Sequence, residues 1–200
     1  TDIAKLADAL YEAGCIRFGE FTLKDGSIAP IYIDLRVLVG EPKTLRLLAS
    51  MIAERLGEFE FDVITGIPYA ALPIGVAVSL EADLPLVYAR DKPKAYGTRH
   101  QVEGKFEEGQ RVLVIDDVIT SGGSKVEAAE PLRAAGLVVE DVLVVIDREQ
   151  GGGDVLKPKG LKLHAMATIT ELLEYLGASG KVSQEQIATA LDFVSSRRHG

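Results

Sequence analysis

Residues 111–124 read Arg111-Val-Leu-Val-Ile-Asp116-Asp117-Val-Ile-Thr120-Ser-Gly-Gly-Ser124, and their order decides the fold. The run Val112 to Ile115 is too short for a helix and lacks polar alternation, which is the pattern of a strand buried on both faces. Two acids end that strand, and a turn of hydroxyl residues and glycines then opens a helix. A buried strand feeding a helix through a tight turn is the repeating unit of a parallel sheet with covered faces.

Working outward, Val63 to Ile67, Leu86 to Ala89 and Val142 to Ile146 are further apolar runs of the same kind, and helical stretches at about Ala70 to Glu81 and Gly123 to Ala135 lie between them. This alternation predicts an α/β fold with a doubly wound, mostly parallel sheet flanked by helices. Pro131 should kink or restart the helix it sits in, because it removes one N–H and crowds the preceding turn.

The two ends of the chain read differently. Ile3, Leu6 and Leu10 recur at helical spacing before Gly14, and Phe18 to Leu23 and Pro30 to Leu35 read as strands around the turn Lys24-Asp25-Gly26-Ser27. A helix follows over Pro42 to Leu56. Beyond Ile146 come a glycine-rich loop at Gly151 to Gly153, a strand at Leu161 to Ala167 and two helices, opened by the capping-box patterns Thr168-Ile-Thr-Glu171 and Ser183-Gln-Glu-Gln186. One domain over 1–200 is expected, with a core at about 40–150 and a small cap from about 1–39 and 151–200.

The 200 residues include 22 Lys+Arg against 30 Asp+Glu, a net charge of -8, which excludes binding to a nucleic-acid backbone through counterion release. One cysteine, Cys15, forms no internal disulfide, so a cytoplasmic setting is expected and Cys15 reads as a small buried apolar residue. Val63 to Leu80 carries no charge over 18 residues, but Pro68, Pro73, Gly66 and Gly75 make it a strand, a turn and a helix rather than a membrane span. No secretory signal pattern opens the sequence.

The turn after the acids has the makings of an anion cradle. Backbone N–H groups at a helix N-terminus favour a phosphate, Gly122 and Gly123 allow close approach, and Thr120, Ser121 and Ser124 add hydroxyls. Asp116 and Asp117 lie beside it, where they can accept hydrogen bonds from sugar hydroxyls and help hold Mg2+ through water. The combination describes a pocket for a ribose 5-phosphate. Neither a P-loop nor a dinucleotide fingerprint occurs in the chain. A second basic feature, Arg90 to His100, places five bases in eleven residues and reads as a polar loop. Arg148, just past the run Val142 to Ile146, could grip a carboxylate with two parallel hydrogen bonds. His100, His164 and His199 have no acid or metal partner at motif spacing.

Val112 to Ser124 resembles the 13-residue binding motif of type I phosphoribosyltransferases, and the chain from about Phe18 to Leu176 resembles the orotate phosphoribosyltransferase family, especially the form found as one domain of uridine monophosphate synthase. Phe21-Thr-Leu-Lys24-Asp-Gly26 and Pro30-Ile-Tyr-Ile-Asp-Leu-Arg36 are similar to that family's N-terminal strands. Gly66-Ile-Pro-Tyr69-Ala70-Ala71-Leu-Pro73 is similar to its pyrophosphate loop, Arg90 to Gly97 to its basic mobile loop, and Asp147-Arg148-Glu-Gln-Gly-Gly152 to its orotate-binding segment.

The resemblance implies Mg2+-dependent transfer of a phosphoribosyl group from 5-phosphoribosyl 1-pyrophosphate to N1 of orotate, giving orotidine 5'-monophosphate and pyrophosphate. It implies that Asp116 and Asp117 hold the ribose, that Val118, Ile119, Thr120, Ser121, Gly122, Gly123 and Ser124 line the 5-phosphate, and that Tyr69, Ala70 and Ala71 present N–H groups to pyrophosphate. Lys24, Arg90 and Lys94 would supply charge, with Lys94, Asp116 and Asp117 as the catalytic set, and Arg148 would select the base. Mg2+ would be held mainly by the donor rather than by direct protein ligands. A homodimer with shared sites follows from the family's basic loop, which reaches into the neighbouring subunit. Tyr96 stands where many relatives have His, Asp91 where many have Lys, and Ala70 where some have Lys. Two rival readings are a phosphoribosyltransferase for another base and a non-catalytic regulator that binds the same donor.

Overall fold

The computed structural model describes residues 1–23, 26–90 and 101–198. The elements run in chain order: α1 (Ile3–Glu12), β1 (Ile16–Thr22), β2 (Ile28–Ile33), α2 (Pro42–Ala53), β3 (Val63–Gly66), α3 (Ala71–Ala82), β4 (Leu86–Ala89), β5 (Val102–Glu103), β6 (Arg111–Ile119), α4 (Gly123–Ala134), β7 (Val138–Asp147), α5 (Gly152–Leu156), β8 (Lys162–Thr168), α6 (Ile169–Ala178) and α7 (Gln184–Ser196). Among the described residues, β1 and β2 form an antiparallel pair and the other six strands one sheet in the order β5-β4-β3-β6-β7-β8.

All neighbours in that sheet are parallel except β4 and β5, so the expected doubly wound, mostly parallel arrangement is found. The apolar runs explain the two covered faces. Ile64, Leu113, Ile115, Leu143 and Val145 pack with α1, α2, α3, α6 and α7, while Val63, Val112, Val114, Val142 and Val144 pack with Ala129 and Leu132 of α4 and Leu156 of α5. Alternate residues thus enter opposite cores, as the period of two requires.

Helix boundaries follow their caps. The Asp2 carboxylate accepts the Lys5 N–H at 3.0 Å, Pro42 occupies the first turn of α2, and Gly14 turns left-handed at φ 74° after α1. Thr168 and Glu171 close a full capping box on α6, whereas at α7 the Ser183 hydroxyl caps the Gln186 N–H. No described helix is long and apolar enough to cross a membrane.

Four expectations need correction. The strand expected to end in the two acids runs on to Ile119, because its ladder with β7 continues through Asp116↔Val144, Val118↔Ile146 and Ile119↔Asp147 regardless of side-chain polarity. Helix α4 passes through Pro131 without restarting; the bond that proline removes would have gone to the carbonyl of Glu127, an exposed residue. Gly152 and Gly153 begin the short helix α5 rather than a loop. The stretch 151–200 is not all cap, since β8 pairs with β7 as a strand of the main sheet. The hairpin β1–β2 instead meets α7, where Arg197 Nη2 donates to Ser27 Oγ at 2.7 Å.

Candidate active site

The sheet order creates the site. From β3 the chain crosses through α3 to β4 on one side, and from β6 through α4 to β7 on the other, so the connections diverge between adjacent strands β3 and β6. Open α/β sheets bind ligands at the carboxyl ends of such a pair. Gathered at that end are the loop after Gly66, Arg90 after β4, the acids and turn of β6, and Arg148 after β7.

The turn Thr120–Ser124 lies at the N-terminus of α4. Gly122, at φ 83°, is the N-cap of α4 and no side chain caps this end; the Lys125 N–H donates to Gly122 O at 3.0 Å, while the N–H groups of Gly123 and Ser124 have no partner within the helix. Ser121, Gly123 and Ser124 are exposed, and nothing lies within 4 Å of where a Cβ on Gly123 would stand. The turn is held from behind by glycine contacts. A Cβ on Gly122 would sit 2.9 Å from the Gly152 carbonyl oxygen, and one on Gly152 would sit 2.6 Å from the Thr120 carbonyl oxygen and from the Ile119 side chain. Arg148 N–H also donates to Ile119 O at 3.0 Å, so the segments at 119–122 and 148–152 form one packed unit.

The two acids differ. Asp117 is half-buried, with one oxygen on the Val118 N–H at 2.7 Å. Asp116 is only 4% exposed, and its Oδ2 lies 2.6 Å from Lys125 Nζ. Burial pushes its carboxyl up to about 7; the Lys125 ammonium opposes that rise and the neighbouring Asp117 charge adds to it. Sequence reasoning missed Lys125. A signal existed: a cation in the first turn of a helix runs against the macrodipole and calls for an acidic partner.

Beside the cradle, a cleft of about 600 Å³ runs along α4, bordered by Ser124, Glu127, Ala128, Glu130, Pro131 and Ala134 of that helix and by Ile67, Pro68, Ala89, Arg90 and Gln101. Arg90 Nη1 is buried there, has no hydrogen bond among the described residues and lies 3.5 Å from Glu103 Oε1. In the loop after β3, Tyr69 is 78% exposed, but the Ala71 N–H is donated to Ile67 O at 3.1 Å, which removes it from the set expected to face a ligand. Gly66 permits the tight β3–α3 junction, as a Cβ there would lie 2.3 Å from the Ala71 carbonyl oxygen.

Arg148 is half-buried at the end of β7, and its guanidinium has no hydrogen-bond or ion-pair partner among the described residues. Burial first, and the charge of Arg197 second, lower its pKa from the ordinary guanidinium value. Its backbone is anchored by neighbours: Asp147 Oδ1 accepts the Glu149 N–H at 2.7 Å, and the Glu149 carboxylate takes hydrogen bonds from Thr170 and Arg198. Lys24, Asp91, Lys94, Tyr96, His100 and His199 lie outside the described residues.

No group of three or more potential metal ligands occurs among the described residues. Two adjacent acids, one already paired with Lys125, do not make a resident metal cage; they suit an ion that arrives on a phosphorylated ligand. Cys15 is fully buried and its thiol is pushed up to about 12, chiefly by burial, in keeping with a core residue. His164 has a partner that sequence spacing hid, Asp141 Oδ1 at 2.8 Å on the neighbouring strand.

The family model described as "Phosphoribosyl transferase domain" matches residues 38–163. The orotate phosphoribosyltransferase of Pyrococcus furiosus is 40% identical over 179 residues, which span 88% of this chain and 98% of that protein. The bifunctional enzyme PyrF/PyrE of Nostoc is 39% identical over 177 residues, 88% of this chain but 37% of the relative. Among solved structures, the UMP synthase of Leishmania donovani superposes with a TM-score of 0.88 at 40% identity, covering 98% of this chain and 43% of that one. The chain therefore spans about two fifths of the length of the Nostoc and Leishmania proteins and nearly all of the Pyrococcus one.

Proposed function

The chain belongs to the orotate phosphoribosyltransferase family of phosphoribosyl transferases, and from that premise we propose that it transfers the phosphoribosyl group of 5-phosphoribosyl 1-pyrophosphate to N1 of orotate. The bond from ribose C1 to pyrophosphate breaks, the bond from C1 to N1 forms, N1 gives up its proton, and orotidine 5'-monophosphate and pyrophosphate leave. The observation that carries this reading is Arg148: a half-buried guanidinium without a partner among the described residues, whose backbone N–H donates to Ile119 O just before the turn at 120–124. Burying an unpaired cation is costly, and a carboxylate on the acceptor base would supply the missing partner. Orotate has that carboxylate; uracil, adenine and hypoxanthine do not.

In this scheme the N–H groups and hydroxyls of Thr120 to Ser124 take the 5-phosphate, and Asp117 with Asp116 holds the ribose hydroxyls. The loop at Tyr69 and Ala70 would take the pyrophosphate together with the buried Nη1 of Arg90, and Lys94 and Lys24 would add charge by family resemblance. The transition state places positive charge on the ribose and negative charge on the leaving pyrophosphate, so the work is positioning and electrostatics. Mg2+ would arrive on the donor with Asp117 and Asp116 contacting it through water, and it would supply neutralisation of the diphosphate. The exposed Val76 and Leu80 of α3 support the homodimer with shared sites that the family resemblance implies. The single cysteine, buried in the core, suits a cytoplasmic setting.

Arg148→Ala tests the reading. Losing a bidentate, charge-assisted pair should raise the orotate KM about tenfold to a hundredfold while the donor KM stays within a factor of about two. Equal effects on both substrates would remove Arg148 as the carboxylate clamp.

A further inference from the structure

Lys125 is buried beside the acids of β6 and the turn that follows them. It is 6% exposed, in the first turn of α4, and its Nζ lies 2.6 Å from Asp116 Oδ2, 2.6 Å from Val118 O and 3.3 Å from Ser124 Oγ. An ammonium has three N–H donors, and here each has one acceptor. Packing alone would favour an apolar side chain at this position, because burying a cation near a helix N-terminus costs both desolvation and dipole energy.

We propose that Lys125 is a positioning residue of the donor site, which fixes the Asp116 carboxylate and turns the Ser124 hydroxyl so that it donates outward to the phosphate. This rests on the phosphoribosyl-donor reading above. Ser124 Oγ carries one hydrogen and two lone pairs. With a lone pair engaged by the ammonium, the hydroxyl hydrogen is repelled from Lys125 and must point away from it. Ser124 is exposed in the uncapped first turn of α4, the end of the helix that carries the cradle, so the open direction is the ligand side. The same ammonium binds two groups of β6 and one of α4, which fixes the spacing between the acids and the cradle across the turn at 119–123.

The test is a set of variants measured for donor dissociation constant, both KM values and melting temperature, with 5-phosphoribosyl 1-pyrophosphate and Mg2+ as the probe. Lys125→Met should weaken donor binding about tenfold, the equivalent of one well-oriented hydrogen bond, and leave the orotate KM within a factor of about two. Ser124→Ala should weaken it similarly, and the double variant should be no weaker than the poorer single one. A folded Lys125→Met protein with wild-type donor affinity, or strictly additive effects, would overturn the inference. If Lys125→Met does not fold, the neutral pair Asp116→Asn/Lys125→Met replaces it. Removing the Ser124 hydroxyl from that background should then change nothing, and a further loss of donor affinity would overturn the proposal. Wild-type protein that binds no donor would refute the underlying reading, and the inference with it.

Discussion

Substituting Gly152 by alanine adds one methyl group where two halves of the site touch. The new Cβ would stand 2.6 Å from the Thr120 carbonyl oxygen and 2.6 Å from both Cδ1 and Cγ1 of Ile119, against the 3.4 Å at which ordinary contact begins. Something must move by about 0.8 Å, the difference between those two distances. Ile119 is fully buried and Thr120 O is backbone, so neither yields as a flexible surface chain would. Forcing one methyl into a packed interior costs about 1–3 kcal/mol. For a chain of this size that is a fall of roughly 3–10 °C in Tm. The displaced backbone belongs to the phosphate cradle, and a shift approaching 1 Å there should raise the donor KM by about tenfold or more. Gly153→Ala is the control: its Cβ would meet only Leu163 Cδ2 at 3.6 Å, an ordinary contact inside a helix. Differential scanning calorimetry and steady-state kinetics on the two variants decide the matter. Gly152→Ala with the Tm and donor KM of Gly153→Ala would refute the claim that this contact holds the cradle.

Other consequences follow from single contacts. Because burial raises the Cys15 thiol to about 12 from 9.0, the folded state holds its proton where the unfolded chain would lose it, so this group's contribution to stability falls as pH rises above 9. Native protein should accordingly resist alkylation by iodoacetamide at pH 8 and react stoichiometrically in denaturant; rapid native labelling would contradict a buried thiol. Thr168→Ala removes the capping box of α6, so it should cost about 1 kcal/mol in denaturant melts, and an unchanged midpoint would contradict the cap.

Local chemistry explains which parts of this fold could be read from the chain. The runs at Val63, Val112 and Val142 announce a covered parallel sheet because strands buried on both faces have no polar residues to interrupt them. The turn at Thr120 to Ser124 and the arginine after β7 were legible for a similar reason: their residue types and their place after an apolar run already state the chemistry. What stayed hidden depends on contacts between distant segments. Gly152 reads as a loop glycine until Thr120 and Ile119 are seen against it. The Asp141 partner of His164 sits on the adjacent strand, beyond any spacing rule. The extent of β6 was set by its ladder with β7, which takes in the acids because backbone groups, not side chains, make the pairing. Ala71 was placed among the ligand-facing N–H groups, yet the turn into α3 uses that group for itself.

The most direct measurement is turnover of the purified protein with 5-phosphoribosyl 1-pyrophosphate, Mg2+ and, in separate reactions, orotate, uracil, adenine and hypoxanthine. Loss of orotate absorbance with one pyrophosphate released per orotate consumed, abolished by chelation of the metal and absent with the other three bases, is the predicted result. Turnover with a base that carries no carboxylate, or donor binding without turnover on any of the four, would contradict the account.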